Sequence, residues 1–218
     1  MKFLILSALA IIVIFACNNP NKSTVVANDA EMENTNLGTA DVIYKTDSRK
    51  SALAWEGAEG LLSIVKTHNG MLSISEGTLQ SKNKQLVGGS FTIPLKSLTV
   101  LDIPKEKPRN AKLVKHLLSA DFFDAVRFTT ANFAITDVKP LEKDSALITG
   151  NLTLKGITKS ISFKSKVNVN DSVITASTPK FYINRTDWSI SYGTEKSLGD
   201  ELIKPEIGIQ VNLVAHKK

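Results

Sequence analysis

The chain carries three histidines, His68, His116 and His216, and a single cysteine, Cys17. A metal site or a general acid–base pair needs several such groups at a set spacing. No histidine falls in an H-E-x-x-H pattern, and one cysteine cannot make C-x-x-C. Neither a G-x-S-x-G elbow nor a glycine-rich phosphate loop occurs. The expectation is a non-catalytic protein without metal or cofactor. His68, two residues before Gly70 at a strand start, offers a donor to the head group of a ligand; its plainer role is a surface or turn histidine. Arg185, followed by Asp187 and Trp188, is the second head-group candidate, suited to a pyrophosphate or carbonyl oxygen. Its structural alternative is a brace with Trp188 stacked beside it. Gly88-Gly89 lies inside a strand pattern and reads as a bulge or bend.

Cys17 ends an uncharged, mostly apolar run from Phe3 to Ala16 that follows Lys2. At about 1.5 Å per residue this run is too short to cross a hydrocarbon core of roughly 30 Å. Residues 1–16 read as a signal peptide. Ile14-Phe15-Ala16-Cys17 resembles a lipobox, although Phe15 stands where a small residue is usual; a plain secretory signal is the alternative. An unpaired thiol in an exported protein needs an explanation, and acylation of Cys17 supplies one. Residues 17–40, rich in Asn, Ser, Thr, Asp and Glu, are expected to form a disordered polar tether, with one folded domain over 41–218. The location implied is the cell envelope, membrane-anchored and facing the periplasm.

Beyond residue 40 the apolar residues alternate with period two, which demands strands with one buried face. Phe91 and Ile93 form one such face, Phe133 and Ile135 another, Ile161, Phe163 and Val167 a third, Ile209 and Val211 a fourth. Asn83-Lys84, Lys143-Asp144 and Asn170-Asp171 supply turns, and short turns make antiparallel neighbours. Leu113, Val114, Leu117 and Leu118 are spaced for one short helix over 110–118. The fold class is therefore all-β: an extended antiparallel barrel of about eight strands, closed because closure removes the edges. An open sandwich with a solid core is the competing architecture. The nine residues of the four faces are the candidate lining of a lipid cavity. The net charge of +6, or +5 once Lys2 is removed (6 − 1), is spread over single lysines, so nucleic acid is not expected as a partner.

Separated stretches resemble the YceI-like family of lipid- and polyisoprenoid-binding proteins. They include Trp55-Glu56-Gly57, Thr67-His68-Asn69-Gly70, Leu86 to Phe91, Asp121-Phe122-Phe123-Asp124, Phe128 to Ala131, Ile148 to Lys159 and Asn184 to Trp188. The resemblance spans nearly all of residues 42–216. It departs at Pro94, where the family often has Asp, and at Ser189, where Gly is usual. It implies a lipocalin-like barrel that binds, sequesters or carries a polyisoprenoid or similar long-chain lipid, with the membrane reached through the N-terminal anchor. A solid-cored envelope protein acting through a protein–protein surface is the rival function, and self-association into a dimer is left open.

Overall fold

The computed structural model describes residues 22–32, 40–61, 64–194 and 202–218, so the expected signal peptide and Cys17 lie outside the described residues. The strands are β1 (Asn28–Asp29), β2 (Val42–Thr46), β3 (Ala52–Leu61), β4 (Ile64–Ser73), β5 (Glu76–Lys82), β6 (Gln85–Pro94), β7 (Thr99–Val100), β8 (Thr130–Pro140), β9 (Ser145–Leu154), β10 (Ile157–Val169), β11 (Val173–Ser177), β12 (Phe181–Asn184) and β13 (Glu206–Lys217). One helix, α1 (Pro108–Leu118), interrupts them. Its start is fixed by Pro108 in the first turn and by buried Asn110, whose amide donates to the carbonyls of Val100 and Ile103 at 3.1 and 2.6 Å.

Eight strands close into an antiparallel ring in the order β2, β5, β6, β8, β9, β10, β11, β13 and back to β2. The all-β barrel with one short helix is therefore as expected. Tight turns set the neighbours: Asn83 and Lys84, at φ 51° and 60°, make the two-residue β5–β6 connection with the positive φ values of a type I′ turn. Gly88-Gly89 does mark a bulge. Gln80 pairs Gly88 but Ser81 pairs Leu86, so Val87 is looped out. Gly89 has φ 147°, and a Cβ there would stand 2.4 Å from the Thr78 carbonyl oxygen. Pro94 ends β6, and the next backbone N–H, that of Leu95, already bonds to the Thr129 carbonyl at 2.9 Å.

The wall is longer than the ring. The C-terminal half of β13 pairs with β11 and β2, whereas its N-terminal half pairs with β12 and with the β3–β4 hairpin, to which β7 adds an edge. The gap between β12 and β10 is filled by the segment expected to be a disordered tether. Val25 N–H donates to the Tyr182 carbonyl at 2.8 Å, Tyr182 N–H donates to Ser23, and Asn28 and Asp29 pair with Ser160 and Lys159 of β10. Val25 and Ala27 pack against the core, and the Lys22 ammonium lies 4.2 Å from the Tyr182 ring centroid. Residues 22–32 thus correct the tether expectation: their main-chain groups complete the wall, which composition alone does not reveal.

Ser189 sits in the left-handed region at φ 54°, ψ 30°, where it closes the 3-10 turn over Arg185–Trp188. Its Cβ makes that conformation cost about 1 kcal/mol, partly offset by the greater chain entropy glycine loses on folding. Ser189→Gly is therefore expected to raise the unfolding free energy in urea by about 0.5 kcal/mol; a loss of stability would show that the hydroxyl is needed.

Candidate ligand cavity

The wider end of the barrel encloses a cavity of about 450 Å³. Leu53 and Leu72 of the β3–β4 hairpin, Ile93 of β6, Leu152 of β9, and Ile207 and Ile209 of β13 face one another across it. They meet because each is at an inward position of a period-two strand. Helix α1 lies over one end and lowers Leu113 and Leu117 into the space, joined by Phe122 and Phe123 from the chain that follows. A second, much smaller hollow of about 40 Å³ lies in the narrower part of the barrel.

Polar groups gather where the cavity wall meets the β7–α1 connection. The His68 Nδ1 lies 2.7 Å from Asp102 Oδ2, its Nε2 lies 3.4 Å from Glu59 Oε1, and Arg109 reaches the same Glu59 oxygen at 3.7 Å. Desolvation is the strongest influence on Asp102 and opposes its ionisation. The Asn69 N–H and the His68 ring bonded to its carboxylate together outweigh that burial and hold its pKa below the ordinary aspartate value. His68 therefore fastens β4 to the connection leading into α1. Its ring faces the cavity, but each nitrogen already has a carboxylate within reach.

Arg185 is almost wholly buried, at 1% exposure, and also lines the cavity. Its Nε, Nη1 and Nη2 donate to the carbonyls of Lys204, Ile190 and Ile203 at 3.2, 2.5 and 2.9 Å. Burial lowers its pKa, yet a guanidinium stays charged at any physiological pH. Among the described residues no carboxylate lies within ion-pair distance of it, and its charge is dispersed over the three carbonyls and the face of Phe122, 5.5 Å away. The ring above Arg185 is thus Phe122, whereas the Trp188 Nε1–H bonds to the Leu152 carbonyl at 3.1 Å.

The nine residues expected to line a lipid cavity separate by depth. Ile93 and Ile209 border the large cavity; Phe91, Phe133, Ile135, Phe163, Val167 and Val211 border the small one; and Ile161, 2% exposed, is part of the core packing. Leu53, Trp55 and the helix leucines were not among the expected lining residues. Leu152 and Leu154 carry the same period-two signal as the residues chosen, but Leu113 and Leu117 join the cavity only through the placement of α1.

A closed antiparallel barrel whose wider end holds an apolar cavity under a short helix belongs to the lipocalin-like class of barrels. The chain belongs to the YceI-like domain family, which it matches over residues 44–215. Among solved structures it is similar to BcnA of Burkholderia cenocepacia, with 19% identity and a TM-score of 0.58 over 78% of this chain and 99% of that one. It is also similar to a polyisoprenoid binding domain from Saccharophagus degradans implicated in plant cell wall breakdown, with 15% identity and a TM-score of 0.56 over 82% of this chain and all of that one. At these identities the likeness concerns the fold. A UPF0312 protein of Pseudomonas putida (strain W619) is 42% identical over 59 residues, 27% of this chain and 31% of that protein. One from Pseudomonas aeruginosa (strain UCBPP-PA14) is 48% identical over 58 residues, covering 30% of its length. These aligned stretches span about a third of the curated relatives.

The latch at Asp102 has a measurable acid signature. A carboxyl with a depressed pKa contributes stability that is present above its ordinary pKa and is lost as pH falls through the lowered one. Asp102→Asn should make the fall in urea stability between about pH 5 and pH 3 shallower than in the parent. Asp47 and Glu56, held low chiefly by the Arg49 N–H and the Lys180 ammonium, keep the remainder of that slope. An identical slope in the variant would show that Asp102 is not linked to folding.

Proposed function

We propose that this protein is a non-catalytic binder of a long apolar chain, an isoprenoid or a similar lipid, which it sequesters or carries in the cell envelope. The observation that carries the reading is the apolar cavity of about 450 Å³ inside a closed barrel. A dry apolar cavity of about 150 Å³ takes up one benzene, so this one suits a chain of at least roughly fifteen carbons, or about three isoprene units. Burying such a chain contributes about 12 kcal/mol gross at roughly 0.8 kcal/mol per carbon group. Immobilising the ligand takes back a large part of that gain. The polyisoprenoid-binding neighbour of the same fold supports this choice of ligand class. Where the ligand ends in a polar group, Arg185 is the residue able to meet it, since three carbonyls leave part of its five N–H donors over, whereas both His68 nitrogens are taken up by Asp102 and Glu59.

The same proposal includes anchoring through acylated Cys17 and exposure to the periplasm. Cys17 precedes the first described residue, Lys22, by five positions. Five residues reach at most about 17 Å, so an anchor at Cys17 would hold the barrel close to its membrane. Metabolic labelling with a radioactive fatty acid provides the check: label is expected on the parent and absent from Cys17→Ser, and equal label on both would remove the anchor.

Ile209→Trp projects an indole into the large cavity, which has room for it without repacking the wall. In a titration with an environment-sensitive fluorescent fatty acid competed by a three-unit isoprenoid alcohol, the variant should bind at least about tenfold more weakly. Its cooperative unfolding should remain. Equal affinity for both proteins would place the ligand elsewhere, and failure of the parent to bind either probe would contradict the carrier reading.

A further inference from the structure

The inward residues of β9 read as a depth scale along the barrel. Leu154 and Leu152 face the 450 Å³ cavity, Gly150 comes next, Ile148 borders the 40 Å³ hollow, and Ala146 borders a third hollow of about 250 Å³ at the far end. Other strands repeat the order. On β8 it is Ala131, then Phe133 and Ile135, then Val138; on β13 it is Ile207 and Ile209, then Val211 and Leu213. The small and far hollows share Leu86 and Val167. The interior therefore narrows along the barrel: it is wide at the α1 end, pinched in the middle, and opens at the far end among the turn residues Lys84, Lys143 and Asp144.

Phenylalanine rings make the pinch. Phe91 and Phe133 have ring centroids 5.4 Å apart, Phe133 and Phe163 are again 5.4 Å apart, and Phe163 stacks on Phe181 at 4.6 Å with 4° between planes. These rings come from β6, β8, β10 and β12 and form one continuous row of contacts, beside their strand neighbours Ile93, Leu152 and Ile209 that line the large cavity. All four are 9% exposed or less. Gly150 gives Phe133 its place, since a Cβ at that position would lie 2.4 Å from the ring. The residual space of about 40 Å³ is far below the roughly 150 Å³ of a dry cavity that takes up one benzene.

We propose that the Phe91–Phe133–Phe163–Phe181 layer is a stop that sets the longest chain this protein accepts. Resting on the carrier reading above, it makes the ligand a chain of about three isoprene units, or an acyl chain of similar carbon number, whose tail ends on Phe133 and Phe163. Longer chains are excluded because an ordered layer of interlocked rings yields only by breaking its own contacts. Removing a ring extends the large cavity into the small hollow that Phe91, Phe133 and Phe163 border.

The test is a chain-length series of isoprenoid alcohols with three, four and eight units, titrated into the delipidated parent, Phe133→Ala and the milder Phe163→Leu. The parent should lose at least about tenfold in affinity between three and eight units. Either variant that retains a cooperative unfolding transition should recover the eight-unit chain to within about threefold of the three-unit one. A parent that binds all three lengths alike contradicts the stop and leaves the carrier intact. A parent with the steep profile whose folded variants keep it shows that the limit lies elsewhere and overturns the assignment to the rings. A parent that binds none of the series removes the carrier reading and the stop together.

Discussion

Twelve residues of β13 serve two different sets of neighbours. Ala215 and His216 are held between β11 and β2 and close a ring of eight strands, Asn212 lies between β11 and β3, and Gly208 and Ile209 lie between β12 and β3. Ring size and bore are linked in a barrel, so a strand that changes partners midway changes the space it encloses. At its ring-closing half the facing side chains meet and pack. At the other half the inserted β3–β4 hairpin and residues 22–29 widen the wall, and the side chains no longer reach across. The cavity is the consequence of this exchange of partners rather than of a deficit of apolar residues.

The rest of the molecule holds that wide end in shape. Its added walls have few covalent ties to one another, so main-chain pairing and polar fasteners do the joining. Arg185 draws together the Ile190, Ile203 and Lys204 carbonyls, the Trp188 indole fixes the 3-10 turn to β9, and the His68–Asp102 contact ties β4 to the approach of α1. A buried cation is unfavourable without compensation, and here three carbonyls and an aromatic face provide it. An apolar cavity also forgoes dispersion contacts on its lining, which a hydrocarbon chain would restore. On the proposed carrier reading, a hydrocarbon ligand of matching shape would complete the packing.

Much of this was legible in the sequence. The alternation at Phe91–Ile93, Phe133–Ile135, Ile161–Phe163 and Ile209–Val211 named strands and inward faces, and Leu113 to Leu118 named the helix. Periodicity reports which side of a strand faces inward and nothing about depth. Phe133 and Ile209 therefore looked alike as lining residues, although the register places the first in a packed layer and the second on the open cavity. The polar segment after Cys17 carried no pattern because its residues 22–29 are held mainly through the backbone, to Tyr182 and Ser160. The unusual Ser189 showed as a departure from the family pattern, but its left-handed φ of 54° shows only in three dimensions.

On the proposed reading the cavity is a seat for a long apolar chain. Native mass spectrometry of the protein isolated gently from its own envelope, compared with the same sample under denaturing conditions, tests it most directly. A folded species heavier than the denatured chain by one lipid with a hydrocarbon portion of about fifteen carbons, released on unfolding, is the expected result. Identical masses under both conditions, with no mass gained after incubation with total lipid extract, would contradict it.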